Sequence, residues 1–533
     1  MRKHSILFAI ILLGIGLRLL ILTQRGSFWF DEAFAVHFAS MDIPRMLSYL
    51  KFENNPPLYF IVLHFWMKLF GYAELTVRML SLAFGIAALP LIYLLGVRLH
   101  SKTAGLFATF LLAISTFQVF YATETRMYTM YLFLALLSIW LFLKSQNFSN
   151  NRQELGIMNH ESEVGSQCKS IIPYSLFIIL TLLVWTHITA WMIIAALLIY
   201  LLIQSLAFQK LSFKQCIKHN IKFIILGALL VLQFLPWALR FIQLKIATPL
   251  SQGYLFHIPP DKNFFLSILE NFLVFGQDNA FIVTLLSVVM VWLLWFAVRG
   301  TLAPTPLPEG EGRVRGVRLL CAWLFIPLFI GFAFSNAIPR YFIAVAPALY
   351  LLMGVGFANF VEHIKGSYTL KQLYILYATF YVLVFALIFP DYPSLIKISH
   401  HQWDKLTNWV EQQSDATCYM LHATCLVLVN PHSEILPFEH YYQGTLPVIG
   451  IYPKDDLDDR DTRIVITNWV SLNTKENVLR LQDVTEGYNQ VFLVTGGIDP
   501  VGRNLVPVWF WENGWRLGSS QEFGKMSVMV ISR

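Results

Sequence analysis

Charged residues are scarce in this chain: Asp, Glu, Lys and Arg fill only 13% of its 533 positions, against 56% that are hydrophobic. A soluble fold of that length lacks the polar surface to cover so much apolar side chain. A wholly soluble protein is therefore excluded, and most of the chain has lipid as its solvent. Cysteine is also rare, five in all, with no CxxC pair of the metal-binding type. A Gly-rich nucleotide fingerprint is missing too. The nearest stretch, Thr495-Gly496-Gly497, lacks the remaining glycines and the helix context, which argues against an enzyme that uses a soluble nucleotide-linked substrate. No internal repeat is evident. No small-x-small cleavage site follows the first apolar run, so Ser5 to Thr23 reads as an uncleaved first span. The net charge of +7 does not imply a nucleic-acid partner, because the basic residues sit in short segments between apolar runs, where they set orientation.

What is present is a series of apolar runs of membrane length, for which about 20 residues suffice. They read as about eleven spans by that length rule: 5–23, 78–97, 103–120, 128–144, 171–186, 188–207, 223–240, 281–298, 319–336, 342–360 and 372–390. Lys and Arg are denser in the segments that a cytoplasmic N-terminus puts inside, and an odd number of spans then puts the C-terminal tail outside. The expected architecture is a polytopic α-helical membrane domain over 1–390 and a soluble α/β domain over 391–533. Within the first, residues 24–77 form a long outer loop, with Leu58 to Phe70 an amphipathic helix lying along the surface. The second shows a helical stretch from Gln402 to Gln413 and short β-branched runs at Arg463 to Thr467 and Gln490 to Thr495. Thr301 to Gly316 reads as a flexible linker. Cys168, Cys216 and Cys321 fall inside; Cys418 and Cys425 fall outside, where they are either a disulfide or two buried thiols.

Four segments on the outer face carry groups that lipid does not tolerate without a reason. Phe28-Trp29-Phe30-Asp31-Glu32 places two carboxylates among aromatics at head-group depth. An acid desolvated by such a rim becomes a better base, although Asp31 could instead cap the helix that follows. Glu53-Asn54-Asn55-Pro56-Pro57-Leu58-Tyr59 combines polar groups with a stiff entry into a helix, suited to substrate positioning or to a plain junction. The turn from Tyr121 to Tyr128 holds Glu124 and Arg126, which either pair with each other or leave Arg126 to neutralise a phosphate. Pro339-Arg340-Tyr341 offers a second arginine, whose ordinary role would be to snorkel. His187 is a candidate metal ligand in a tight outer turn, and His257 a weaker one.

These four motifs, in this order and on one face, resemble the GT-C membrane glycosyltransferases. More narrowly, the chain looks like the bacterial branch of the dolichyl-phosphate-mannose protein mannosyltransferase family, related to the lipid A aminoarabinose transferases. Asp31-Glu32, Pro56-Pro57-Leu58-Tyr59, Glu124-Thr125-Arg126-Met127-Tyr128 and Arg340-Tyr341 carry the likeness, over roughly residues 5–360. The resemblance implies transfer of a sugar from a polyprenyl-phosphate donor to a lipid or protein acceptor outside the cytoplasmic membrane, with inversion. It implies Asp31 as general base with Glu32 beside it. Arg126, Arg340, Tyr128 and Tyr341 would be at the donor phosphate, and Glu53, Pro57, Tyr59 and Glu124 would position substrate. A divalent metal ion, with Glu53 and His187 as ligands, is part of the same expectation, weakened by the two asparagines after Glu53 where a His or Lys often stands. The implied partners are the lipid-linked donor, the acceptor and membrane lipids. The competing readings are a transporter or flippase of lipid-linked sugars, a polymerase or ligase using a diphosphate-linked donor, and a membrane-anchored binding protein. Charges gathered at one face, rather than mid-membrane on broken helices, favour an enzyme.

Overall fold

The computed structural model describes residues 2–50, 53–146, 163–247, 263–275, 279–302, 308–334, 338–399, 401–419, 423–430, 434–450, 481–495 and 502–533. His257 and the run Arg463 to Thr467 lie outside these residues. The chain is a multi-pass membrane protein. Among the described residues eight helices are long and apolar enough to cross a membrane, and nine if one bent pair counts as a single span.

That bent pair departs from the expected straight span over 103–120. Lys102–Ile114 and Thr116–Ala122 meet at 61°. The cause is Ser115, whose hydroxyl accepts from the Gln118 N–H and so caps a new helix where the old one stops. A helix broken in lipid leaves carbonyls that need donors. Arg18, buried in the first span, supplies them: its guanidinium donates to the carbonyls of Leu112 and Ala113, each at 3.0 Å, as well as to Gly14 of its own helix. Ser115 in turn donates to the Phe272 carbonyl at 2.7 Å.

Two further expectations change. Ala346–Ile364 is a helix, but Asn359, Glu362 and His363 near its end dilute its apolar character and it is packed almost wholly inside the bundle. The stretch read as a linker is helical from Pro308, where the helix Pro308–Ala333 begins. Close helix approach relies on small residues. A Cβ on Gly96 would collide with the Gly105 backbone, and one on Gly354 with the Ala104 carbonyl, so Lys102–Ile114 is clasped on both sides.

After the first span the chain turns along one end of the bundle as three helices, Phe30–Ser40, Ile43–Leu50 and Leu58–Phe70. The last buries Tyr59, Phe60, Leu63 and Met67 against its neighbours and leaves Phe65, Leu69 and Phe70 exposed, as a surface helix should. The C-terminal domain is a five-stranded mixed sheet. Its strands are β1 (Cys425–Asn430), β2 (Val448–Gly450), β3 (Gln490–Thr495), β4 (Arg516–Phe523) and β5 (Met526–Ser532), in the order β2-β1-β3-β5-β4. β1 pairs in parallel with β2 and β3, while β5 runs antiparallel to β3 and β4. β1 and β3 are buried along their full length, as central strands covered on both faces must be. Trp403, Leu406 and Phe438 cover one face; Phe510 and Trp515 cover the other. Cys418 and Cys425 form a disulfide between the helical segment and β1.

Candidate active site

The two neighbouring carboxylates at the start of Phe30–Ser40 meet opposite surroundings. The helix starts one residue before Asp31, at Phe30, with Trp29 as its N-cap and no side-chain capping bond, so Asp31 is not the cap. Glu32 receives Arg78 Nε on one oxygen and Arg78 Nη2 on the other, both at 2.8 Å, and the Thr125 N–H at 3.0 Å. Burial opposes its charge, but the Arg78 charge and hydrogen bonds, then Arg25 and Thr125, outweigh this and hold its pKa down to about 2. Glu32, expected beside Asp31 in the chemistry, is held in a buried ion pair with Arg78 that engages both of its oxygens. Arg78 also donates to the Gly26 carbonyl at 3.0 Å, tying the pre-helix segment to the long helix Glu74–Leu99.

Asp31 is 1% exposed, and its Oδ2 has no hydrogen-bond partner in the protein. Two guanidinium groups flank that oxygen, Arg340 Nη1 at 3.8 Å and Arg126 Nε at 4.0 Å, too far for direct hydrogen bonds and close enough to share a ligand with it. Arg126 and Arg340 each keep a buried Nε without a hydrogen-bond partner. Arg126 stands in the turn between Thr116–Ala122 and Tyr128–Ser145, so the break at Ser115 helps deliver it. Arg340 comes from the short 3-10 turn Pro339–Phe342.

Tyr59 holds the arginine turn from below. Its hydroxyl lies 3.1 Å from Ser81 Oγ, which donates to the Arg126 carbonyl at 3.0 Å. Pro57 is the N-cap of Leu58–Phe70, one position earlier than a first-turn proline, and the Leu58 N–H binds the Trp185 carbonyl at 3.1 Å. That bond fixes the double-proline segment to the turn that carries His187. Glu53 is buried and accepts from Asn55 Nδ2 at 3.2 Å; burial raises its pKa, while the Arg126 charge works the other way. Glu124 does not pair with Arg126. Neither of its oxygens has a protein partner, and burial, with Glu32 and Asp31 nearby, lifts its pKa to about 8 against the pull of Arg25. Tyr128 and Tyr341 complete the wall, with ring centres 5.9 and 5.4 Å from the His187 ring.

Glu53 and His187, the expected metal pair, are both buried. Among the described residues no three His, Cys, Asp or Glu side chains gather as a ligand set. His187 is buried beside Arg126 and Arg340, which repel a cation, and these with burial lower its pKa to about 3. The residues present do not fit a divalent ion, and no step below uses one.

Three participants were not evident beforehand. Arg78 starts an apolar span, and nothing in the sequence joins it to Glu32. Arg25 donates to Thr123 Oγ1 at 3.1 Å and to the Phe120 carbonyl at 2.7 Å, bracing the far side of the arginine turn. Glu434, from the C-terminal domain, is buried within electrostatic reach of Asp31, and its pKa is raised to about 7 by burial and by that charge. The same domain grips the segment before Asp31. The Ser27 N–H binds the His401 carbonyl at 3.0 Å, Ser27 Oγ binds Asp404 at 2.7 Å, and the Phe28 N–H binds the Tyr441 hydroxyl at 2.7 Å. Tyr441 also donates to Glu74.

No family model matches the chain, and no curated protein does. Solved structures do. ArnT from Cupriavidus metallidurans in the apo state matches with a TM-score of 0.58 at 12% identity, over 99% of this chain and 98% of that one. The same protein bound to undecaprenyl phosphate matches at 0.56 and 13% identity, over 98% and 97%. The archaeal oligosaccharyltransferase AglB from Archaeoglobus fulgidus, in complex with an inhibitory peptide and a dolichol-phosphate, matches at 0.53 and 14% identity, over 93% and 69%. The chain therefore shares the fold of these structures, a helical membrane domain followed by a sheet domain.

Proposed function

We propose that this protein transfers a hexosyl or pentosyl unit from a polyprenyl-phosphate carrier to a hydroxyl of a protein, lipid A or other glycan acceptor outside the inner membrane. One observation carries the reading: a buried carboxylate oxygen without a protein partner stands between two arginines, at one end of a membrane bundle. Solved structures of the same fold hold dolichol-phosphate or undecaprenyl phosphate, which supports a donor of that chemistry. In the proposed reaction Asp31 accepts the proton of the acceptor hydroxyl as its oxygen bonds to the anomeric carbon. The bond from that carbon to the phosphate oxygen breaks, its electron pair stays on the carrier phosphate, and the configuration inverts. Arg126 and Arg340 stabilise the charge that develops there. Glu32 holds Arg78 and the backbone so that Asp31 stays in place.

In this reading the N-terminus is cytoplasmic and the C-terminal domain extracytoplasmic, which the Cys418–Cys425 disulfide supports, since such bonds persist in oxidising compartments. Incubating the purified protein with a polyprenyl-phosphate sugar and candidate acceptors tests the proposal. Sugar on the acceptor in inverted configuration, with polyprenyl phosphate as the other product, is expected. Movement of the intact donor across the membrane without cleavage would favour the flippase, and release of a polyprenyl diphosphate would favour the polymerase or ligase.

A further inference from the structure

His187 has no role in the chemistry above, and its surroundings define what it can do. It sits in the turn between Glu163–Val184 and Ala190–Ile203 and is fully buried. Its ring stacks on Tyr131 with centroids 4.9 Å apart and an interplanar angle of 15°, and meets Tyr341 edge-on. Nδ1 accepts the backbone N–H of Thr189 at 3.2 Å and lies 2.8 Å from the Thr189 hydroxyl. A nitrogen that accepts a backbone N–H carries no proton, so the neutral ring must carry its proton on Nε2. Burial and the charges of Arg126 and Arg340 keep the ring neutral.

Nε2 is therefore a donor, buried, with no partner in the protein. A buried donor left unpaired is costly, and such groups call for a partner. Tyr131 and Tyr341 fix the ring plane, and Thr189 fixes the tautomer, so the direction of the N–H is set before anything binds. Two arginines beside it make an anionic oxygen the fitting acceptor and make a metal ion unfit. We infer that His187 is a phosphate-binding residue: its Nε2–H donates to an oxygen of the carrier phosphate held by Arg126 and Arg340. This rests on the donor chemistry proposed above. It adds a neutral donor to two charged ones, which orients the phosphate without adding positive charge next to Asp31.

The test is binding of undecaprenyl phosphate to the full-length protein in detergent, with undecaprenol as the probe lacking phosphate. His187→Phe keeps a ring for stacking and removes the donor. It is expected to weaken undecaprenyl phosphate binding about ten- to hundredfold, the worth of one hydrogen bond to a charged group, and to leave undecaprenol binding unchanged. His187→Gln, which restores an N–H, should recover most of that loss. If the Phe variant does not fold, His187→Leu against His187→Gln makes the same comparison, because the two differ in the donor and little in size. Equal phosphate affinity in wild type and in the variant without a donor overturns the assignment, as does a Gln variant no better than Phe or Leu. Failure of the wild type to bind undecaprenyl phosphate at all, with Arg126→Ala no different, overturns instead the proposed donor.

Discussion

Two carboxylates one residue apart meet different surroundings because the number of donors reaching each differs. Glu32 is saturated by Arg78 and the Thr125 N–H, whereas Asp31 Oδ2 is reached by none. Breaking a buried pair strands the remaining charge, so Glu32→Gln should destabilise the protein by about 3–5 kcal/mol, read as a lowered Tm in detergent. The pH dependence follows from the depressed pKa. The Glu32 contribution is fully present above its unfolded value near 4.5 and is lost as pH falls toward about 2. Wild-type Tm should therefore drop between pH 5 and pH 3, and the Gln variant should show a shallower slope. An equal slope in both would place the acid sensitivity elsewhere. Asp31, Arg126 and Arg340 could be picked from the sequence because each breaks an apolar pattern at one face. The Glu32–Arg78 pair could not, because an arginine at the mouth of an apolar span looks the same whether it faces lipid head groups or a buried acid.

At the scale of single elements, the break at Ser115 governs how the arginine turn reaches the site. Ser115 is one small polar residue in a long apolar run, which is why 103–120 reads as one span. The capping bond that stops the helix, and Arg18 reaching across to the freed carbonyls, are contacts rather than composition. The stretch 301–316 failed for the complementary reason. Its Pro, Gly and charge suit a linker, yet propensity is a weak prior and the helix Pro308–Ala333 forms through most of it. Arg18→Leu leaves the Leu112 and Ala113 carbonyls unpaired in an apolar setting. A loss of about 2–4 kcal/mol is expected from orphaned buried groups, with a lower Tm as the measure. An unchanged Tm would show that the break is held without Arg18.

At the scale of the whole molecule, the membrane domain and the sheet domain meet at the segment that carries Asp31. Ser27 and Phe28 are each bound by the C-terminal domain, and Tyr441 bridges the Phe28 N–H to Glu74. A mixed α/β tail was readable from the alternation of helical and β-branched runs, but its docking was not, since Asp404, Glu434 and Tyr441 belong to no motif. Tyr441→Phe removes the bridge and little else. It should make the C-terminal domain more readily released by limited proteolysis and lower turnover several-fold, while the helical content of the membrane domain, read by circular dichroism, stays as in wild type. Proteolysis and turnover matching the wild type would mean that docking does not depend on this contact.

Turnover of Asp31→Asn with a saturating polyprenyl-phosphate sugar, beside the affinity of the same variant for undecaprenyl phosphate, tests the central claim most directly. The side chain keeps its size and loses the base, so turnover should fall by about two to four orders of magnitude, the usual contribution of a positioned base. Carrier affinity should stay the same or rise, because the negative charge nearest the phosphate is gone. Turnover equal to wild type in that variant would contradict the account.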